Sequence, residues 1–137
     1  MIILDTNVLS AAMSADREVI AWLDRQSHTS VWTTAVTLLE IRFGLEIMPA
    51  GRRKIEREAA FEGVTSDKLE GRVLSFDEHA ALQTALIMAA RQRAGKPREV
   101  RDSMIAGIAI AQRATLATRN VRHFDDLSVP VVDPWNA

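Results

Sequence analysis

The chain has 137 residues, of which 47% are apolar, and this length fits one compact domain, residues 1–137, but not two domains with separate cores. It contains no cysteine, which excludes disulfides, thiolate metal ligands and a cysteine nucleophile. The formal net charge of −1 argues against a protein that coats nucleic acid through bulk positive charge, so contacts with nucleic acid would need local basic clusters.

The N-terminal segment predicts a strand followed by two helices. Ile2 to Leu4 is a short apolar strand that ends at Asp5, Asn7 is placed to cap the next helix, and Asp16 begins another. This segment has neither a basic stretch nor a long apolar run. We therefore expect no signal peptide and no membrane span, and a cytoplasmic location.

The middle of the chain predicts a second strand and three more helices. Residues 31–34 are β-branched or aromatic, and the helix that follows has apolar residues at helical spacing, which we expect to face the core: Val36, Leu39, Phe43 and Ile47. A charged helix covers 52–61, and a short extended piece covers 72–76. The next helix runs from Asp77 to Ala94 before Gly95, because Leu82, Ala85, Leu86 and Ala89 recur at helical spacing.

The last part of the chain predicts a helix that begins at Asp102 and two buried strands at 115–118 and 129–132. Strands and helices thus alternate along the sequence. This alternation predicts an α/β fold with three layers, α/β/α, around a mostly parallel sheet of four to five strands.

Three acidic residues occupy positions where a ligand site is expected. Asp5 ends the first strand and Asp102 begins a helix, while Glu40 lies beside the apolar stripe of its own helix. A shared divalent cation would explain all three, because Mg²⁺ prefers carboxylate oxygens. Spacing alone leaves a second interpretation open, in which Asp102 only caps its helix and Glu40 pairs with Arg42 or Arg119.

Four segments resemble the PIN-domain ribonucleases of the VapC and FitB toxin type. They are MIILDTNVLS at 1–10, TAVTLLEIRFGL at 34–45, RDSMIA at 101–106 and LATRNVRHF at 116–124. The segments occur in the order typical of that family and span nearly the whole chain. The resemblance therefore implies one PIN domain over 1–137, with a PIN-like α/β fold.

The resemblance also implies roles for individual residues. The metal-binding acids are Asp5, Glu40 and Asp102, and Asn120 stands where many relatives have a fourth acidic residue. His123 likewise replaces a frequent aspartate, a loss of charge that Asp125 or Asp126 would offset. Thr6, Asn7 and Thr118 would orient the acids, and the arginines expected to bind RNA are Arg42, Arg119 and Arg122.

The implied activity is that of a Mg²⁺-dependent endoribonuclease, with Mn²⁺ as a possible substitute, acting on single-stranded or looped RNA. The implied role is the toxin of a toxin–antitoxin module, a homodimer inhibited by a cognate antitoxin. Two alternatives remain at this point. One is a non-catalytic RNA-binding protein whose metal site is weakened by Asn120. The other is a Mg²⁺-dependent phosphotransfer domain of the dehalogenase or receiver kind. The Asp5-Thr6-Asn7 motif argues against this second alternative.

Overall fold

The computed structural model describes residues 1–137 and shows five short strands alternating with six α-helices. The strands are β1 (Ile2–Leu4), β2 (Val31–Thr34), β3 (Val73–Leu74), β4 (Thr115–Ala117) and β5 (Val131–Val132). The α-helices are α1 (Thr6–Met13), α2 (Arg17–Asp24), α3 (Ala35–Glu46), α4 (Arg52–Glu62), α5 (Glu78–Arg93) and α6 (Val100–Gln112). Short 3₁₀ turns cover His28–Ser30 and Val121–Phe124, and a π-helix covers Gly63–Lys68. None of these helices combines the length and the apolar character needed to cross a membrane.

The five strands form one parallel sheet in the order β3-β2-β1-β4-β5. The central strand β1 pairs with β2 on one side and β4 on the other, so that Ile2 lies opposite both Val31 and Thr115. All carboxyl ends of the strands consequently lie at one edge of the sheet. The expectation of a mostly parallel sheet of four to five strands is confirmed, with five strands that are all parallel.

Alternate side chains of the central strands enter two separate cores, one on each face of the sheet. Leu4 and Ala117 pack among the residues of α1, α2 and α4, whereas Ile3 and Leu116 pack against α6. This is the period of two that a strand covered on both faces requires. The predicted α/β/α arrangement of three layers is therefore confirmed.

Helices α5 and α6 approach each other closely at Gly107. A Cβ atom at this position would lie 1.9 Å from the Thr84 hydroxyl oxygen and 2.7 Å from the Ala80 carbonyl oxygen. Only glycine fits such a contact without a shift of the backbone. The close packing fixes α6, and with it Asp102 in its first turn, relative to the sheet.

The predicted inner face of α3 is wrong in part. Val36 is buried as expected, but Leu39, Phe43 and, just past the helix, Ile47 lie on the surface, 57%, 57% and 67% exposed. The buried positions further along α3 are Ile41 and Leu45. On α5, Leu82 and Leu86 at helical spacing are also exposed. Helical spacing identifies residues that share one side of a helix, but it does not identify the surface that covers that side.

Candidate active site

Asp5 lies at the carboxyl end of the central strand and begins the first helix. One carboxylate oxygen, Oδ1, accepts a hydrogen bond of 2.8 Å from the Thr6 backbone N–H, so Asp5 is the N-cap of α1. The sequence-based assignment of that cap to Asn7 is therefore wrong. Asp5 is only 4% exposed, which is rare for an aspartate without a cationic partner.

Hydroxyl and amide groups from the neighbouring strand orient Asp5. The Thr118 hydroxyl donates a 2.7 Å hydrogen bond to Asp5 Oδ2, and the Asn7 amide nitrogen lies 3.2 Å from the Thr118 oxygen and 3.4 Å from Asp5 Oδ2. The Asn7 side-chain oxygen accepts a hydrogen bond from the Arg119 backbone N–H. Thr118 reaches Asp5 because β4 pairs in parallel with β1, Leu4 opposite Ala117.

Glu40 faces the same region from α3. The Thr6 hydroxyl donates to Glu40 Oε1 over 2.9 Å. Arg42, two residues further along α3, points elsewhere. Its guanidinium pairs with Glu62 at 3.1 Å and lies 4.7 Å from the centre of the Phe61 ring. Residues two apart on a helix point to nearly opposite sides, so Glu40 and Arg42 cannot both face the acids.

Asp102 approaches from the first turn of α6, with its side chain 25% exposed. His123 Nδ1 lies 3.8 Å from Asp102 Oδ2. His123, which stands where relatives often have an aspartate, thus faces the carboxylate of Asp102. Asp126 does not take over that role, because its carboxylate is paired with Arg91 on α5.

The three acids influence one another electrostatically. Burial raises the pKa of Asp5, and the charge of Asp102 raises it further, although hydrogen bonds from Thr118 and Thr6 act in the opposite direction. Burial also raises the pKa of Glu40, with smaller contributions from Asp5 and Asp102. The pKa of Asp102 is raised by burial and then by the charge of Glu99. Thr6 donates to both Asp5 and Glu40, and the charge of Asp102 acts on both, so the three carboxyl groups lie in one region of the fold.

The acids nevertheless do not form a closed set of ligands. No three His, Asp or Glu side chains of the chain converge closely enough to surround a metal ion on their own. Magnesium usually binds through one or two carboxylates and keeps several of its waters. The type of donor atom and the excess of negative charge at this edge therefore fit Mg²⁺ or Mn²⁺ held partly through water.

A positively charged cavity lies beside the acids, past the end of β4. It has a volume of about 310 Å³, and its lining includes Arg119, Asn120, Arg122 and His123. Asn120 donates its backbone N–H to the Thr118 hydroxyl, but its own side chain is exposed and makes no hydrogen bond. The Arg119 guanidinium lies over the Trp135 ring, 4.5 Å from its centre. The structure thus places Arg119, Arg122 and Asn120 together, and Arg42 apart from them.

Two cationic residues lie near the acids, although the sequence did not predict this position for either of them. The charge of Arg101 lowers the pKa of both Glu40 and Asp102, and its position directly before Asp102 was a usable signal. Arg91 is only 3% exposed and donates to Asp126, to the Ser103 hydroxyl and to the His123 carbonyl. Helical spacing could have revealed it, because it continues the buried face of α5: Ala80, Thr84, Ile87 and Arg91.

Comparisons with known proteins agree with the fold. The family model described as "PIN domain" matches residues 2–129. The chain is 39% identical to a VapC ribonuclease of Sinorhizobium fredii, over 98% of each chain, and 31% identical to the tRNA(fMet)-specific endonuclease VapC of Salmonella typhimurium, over 96% of each. A solved structure of FitAB bound to a DNA fragment contains a chain that is similar with a TM-score of 0.84 and 33% identity, covering 98% of this chain and 96% of that one. The resemblance indicated by the four segments is confirmed, and the chain belongs to the PIN-domain family.

Proposed function

We propose that this chain is a metal-dependent endoribonuclease and the toxin of a toxin–antitoxin module. The observation that carries the proposal is the grouping of Asp5, Glu40 and Asp102 at the carboxyl edge of the parallel sheet, where Thr6 donates to both Asp5 and Glu40 and the charge of Asp102 raises the pKa of both. This edge is where ligands bind in open α/β sheets. Relatives that match nearly the full chain are named VapC ribonuclease and tRNA(fMet)-specific endonuclease, which supports the same reaction class.

In this proposal Asp5, Glu40 and Asp102 hold the metal ion, Mg²⁺ or Mn²⁺. When bound, the cation supplies Lewis-acid stabilisation of the charge that develops on a phosphodiester during hydrolysis. Thr118 and Thr6 keep the carboxylates of Asp5 and Glu40 oriented through their donated hydrogen bonds. Asn120 adds no charge, so we expect one ion to be held more tightly than any second one.

We propose that the RNA phosphates next to the scissile bond bind in the cavity beside Asn120. Arg119 and Arg122 line it, and both carry the permanent charge and planar donors that suit phosphate. Arg42 is not included, because its guanidinium is occupied by Glu62 and Phe61. The RNA should be single-stranded or looped, because bases within an A-form duplex are inaccessible to a compact protein.

Incubation of the purified protein with total RNA, with and without EDTA, tests the proposal. We expect discrete cleavage products in the presence of Mg²⁺ and none with EDTA, and mapping the new ends would define the cut sites. A protein that binds RNA but leaves it intact at every Mg²⁺ concentration would instead be the non-catalytic alternative.

We further propose that the chain binds a cognate antitoxin and pairs with a second copy of itself. Solved structures that contain similar chains are those of FitAB and VapBC, among them the DNA-bound VapBC of Salmonella typhimurium. Apolar side chains one turn apart on α3 and α5 supply surface that a second copy would cover: Leu39, Phe43, Ile47, Leu82 and Leu86. The unpaired acids supply charge that an antitoxin arginine or lysine would neutralise.

Replacing Phe43 with glutamate tests the homodimer. A charge in the middle of the α3 stripe would have to be desolvated on association, so we expect a shift from dimer to monomer in sedimentation experiments. Thermal unfolding of the monomer should change little, since Phe43 is already 57% exposed within one chain. Glutamate at Ile55 of α4, which is also exposed, is the control, and dimers that resist Phe43→Glu would exclude this face.

A further inference from the structure

A groove leads away from the acids on the side opposite to the cavity at Asn120. It lies between α1, α3 and α4 and has a volume of about 300 Å³. Thr6 and Glu40 line one part of it and Arg57 another, with Ser10, Gly44 and Met48 among the other lining residues. A Cβ atom at Gly44 would meet nothing within 4 Å, so the groove is open at this point. Any ligand in the groove would contact both the acidic site and Arg57.

Arg57 is held in place by neutral groups. Its guanidinium donates to the Ser14 hydroxyl over 2.8 Å and to the Ser10 hydroxyl over 3.3 Å. Other arginines of the chain are paired with carboxylates, namely Arg42, Arg52, Arg91 and Arg101. Arg57 forms no such pair, so its charge is oriented but not neutralised. Both serine oxygens accept from Arg57 and keep their own hydroxyl hydrogens free to donate to an anion.

The groove continues into a second, more basic depression. This depression, of about 540 Å³ at the connection between α3 and α4, shares Met48 and Arg57 with the groove and adds Arg52 and Arg53. The charge along this surface therefore changes from negative at Glu40 to positive at Arg57 and beyond. Arg57 stands at the junction.

We propose that Arg57, with Ser10 and Ser14, binds a backbone phosphate of the RNA strand on the α4 side of the cleavage site. The inference rests on the proposed ribonuclease function. With the cation of the proposed function held among the acids, both ends of the groove are positively charged and suit a polyanionic RNA strand. One of its phosphates needs a cation among the acids, and a neighbouring phosphate needs the guanidinium.

Binding of a labelled single-stranded RNA of mixed sequence, measured with Ca²⁺ in place of Mg²⁺ and over times too short for hydrolysis, tests the inference. We expect Arg57→Gln to weaken binding about tenfold, as the loss of a charged hydrogen bond predicts. The slope of the logarithm of the binding constant against the logarithm of salt concentration should fall in magnitude by about 0.7, the contribution of one phosphate contact to a single strand. Arg93→Gln removes the same charge from an exposed position on α5 and should leave both values unchanged.

Gly44→Leu provides a second test that does not depend on charge. Leucine has a higher helix propensity than glycine, so the variant should unfold at an unchanged or higher temperature, yet its side chain would fill the groove and weaken RNA binding about tenfold or more. Gly63→Leu is the matched control, because Gly63 also faces open space but lies outside the groove. If Arg57→Gln and Gly44→Leu bind RNA as well as their controls do, the groove does not take RNA and the inference is wrong. Failure of the wild type to cleave RNA with Mg²⁺ would contradict the ribonuclease proposal instead, and these binding measurements would still decide the role of Arg57.

Discussion

Replacing Asp5 with asparagine is expected to slow RNA cleavage by about a hundred- to a thousandfold, the range seen when one group that stabilises transition-state charge is removed. Asparagine keeps the shape and an oxygen for the Thr6 N–H, but it removes the negative charge that would hold the cation. Cleavage kinetics on an RNA with a mapped cut site measure the effect. The same change at the exposed Asp67 is the control, and an unimpaired Asp5→Asn enzyme would refute the assignment of the metal site.

The fold of the Asp5→Asn variant should survive. Burial raises the pKa of Asp5, which means that the ionised carboxylate costs free energy in the folded protein, and asparagine avoids this cost. The new amide group faces the Asn7 amide, which offsets part of the gain. We therefore expect the free energy of unfolding to change by no more than about 1 kcal/mol.

Thermal unfolding with added Mg²⁺ distinguishes a variant that no longer binds the ion from a variant that binds the ion but does not cleave RNA. A ligand present at a hundred times its dissociation constant stabilises the folded state by about 2.7 kcal/mol. The wild type should gain stability from Mg²⁺ and the Asp5→Asn variant should gain much less. Equal stabilisation of both proteins would show that the ion binds elsewhere.

Replacing Arg91 with methionine is expected to lower the free energy of unfolding by about 3 kcal/mol. Arg91 is buried, and its guanidinium connects three parts of the chain: Asp126, the Ser103 hydroxyl on α6 and the His123 carbonyl. Methionine can occupy the same space, but it leaves these acceptors without a donor. Denaturant unfolding at neutral pH measures the loss. Arg93→Met, two residues further along α5 at an exposed position, should change stability by less than about 0.5 kcal/mol.

The effect of Arg91 should depend on pH in a defined direction. Hydrogen bonds from Arg91 lower the pKa of Asp126 in the folded protein. The stabilisation from this pair is therefore complete above the ordinary aspartate pKa of about 4 and is lost as the pH falls through the lowered value. The difference in stability between wild type and Arg91→Met should shrink in acid. A difference that stays constant across this range would show that Asp126 does not contribute to it.

Much of the fold follows from local sequence patterns. The short apolar strands, the helix caps at Asp16 and Asp77 and the glycine after α5 are all found where the sequence predicts them. These features depend on neighbouring residues, since capping and turn formation involve atoms within a few positions of one another. The alternation of strands and helices then restricts the topology to a parallel sheet with two helical layers.

The candidate site required more than local pattern. Asp5 and Thr118 are 113 residues apart, and their hydrogen bond exists because β1 and β4 are neighbours in the sheet. Resemblance to PIN domains selected Asp5, Glu40 and Asp102 as candidates, whereas spacing alone left the pairing of Glu40 with Arg42 open. The structure decides that point, because Arg42 faces Glu62 on α4 while Glu40 faces Thr6.

The sequence by itself thus determined the order of the elements, the sheet type and, through its motifs, the acidic residues of the site. Only the tertiary structure decided which apolar faces are covered and which arginines are free: Leu39 and Phe43 are exposed, Arg91 is buried, and Arg57 faces the groove beside Glu40. The physical reason is that periodicity specifies residues on a common side of one helix. Burial and pairing depend on what packs against that side, and this is set by segments far away in the sequence.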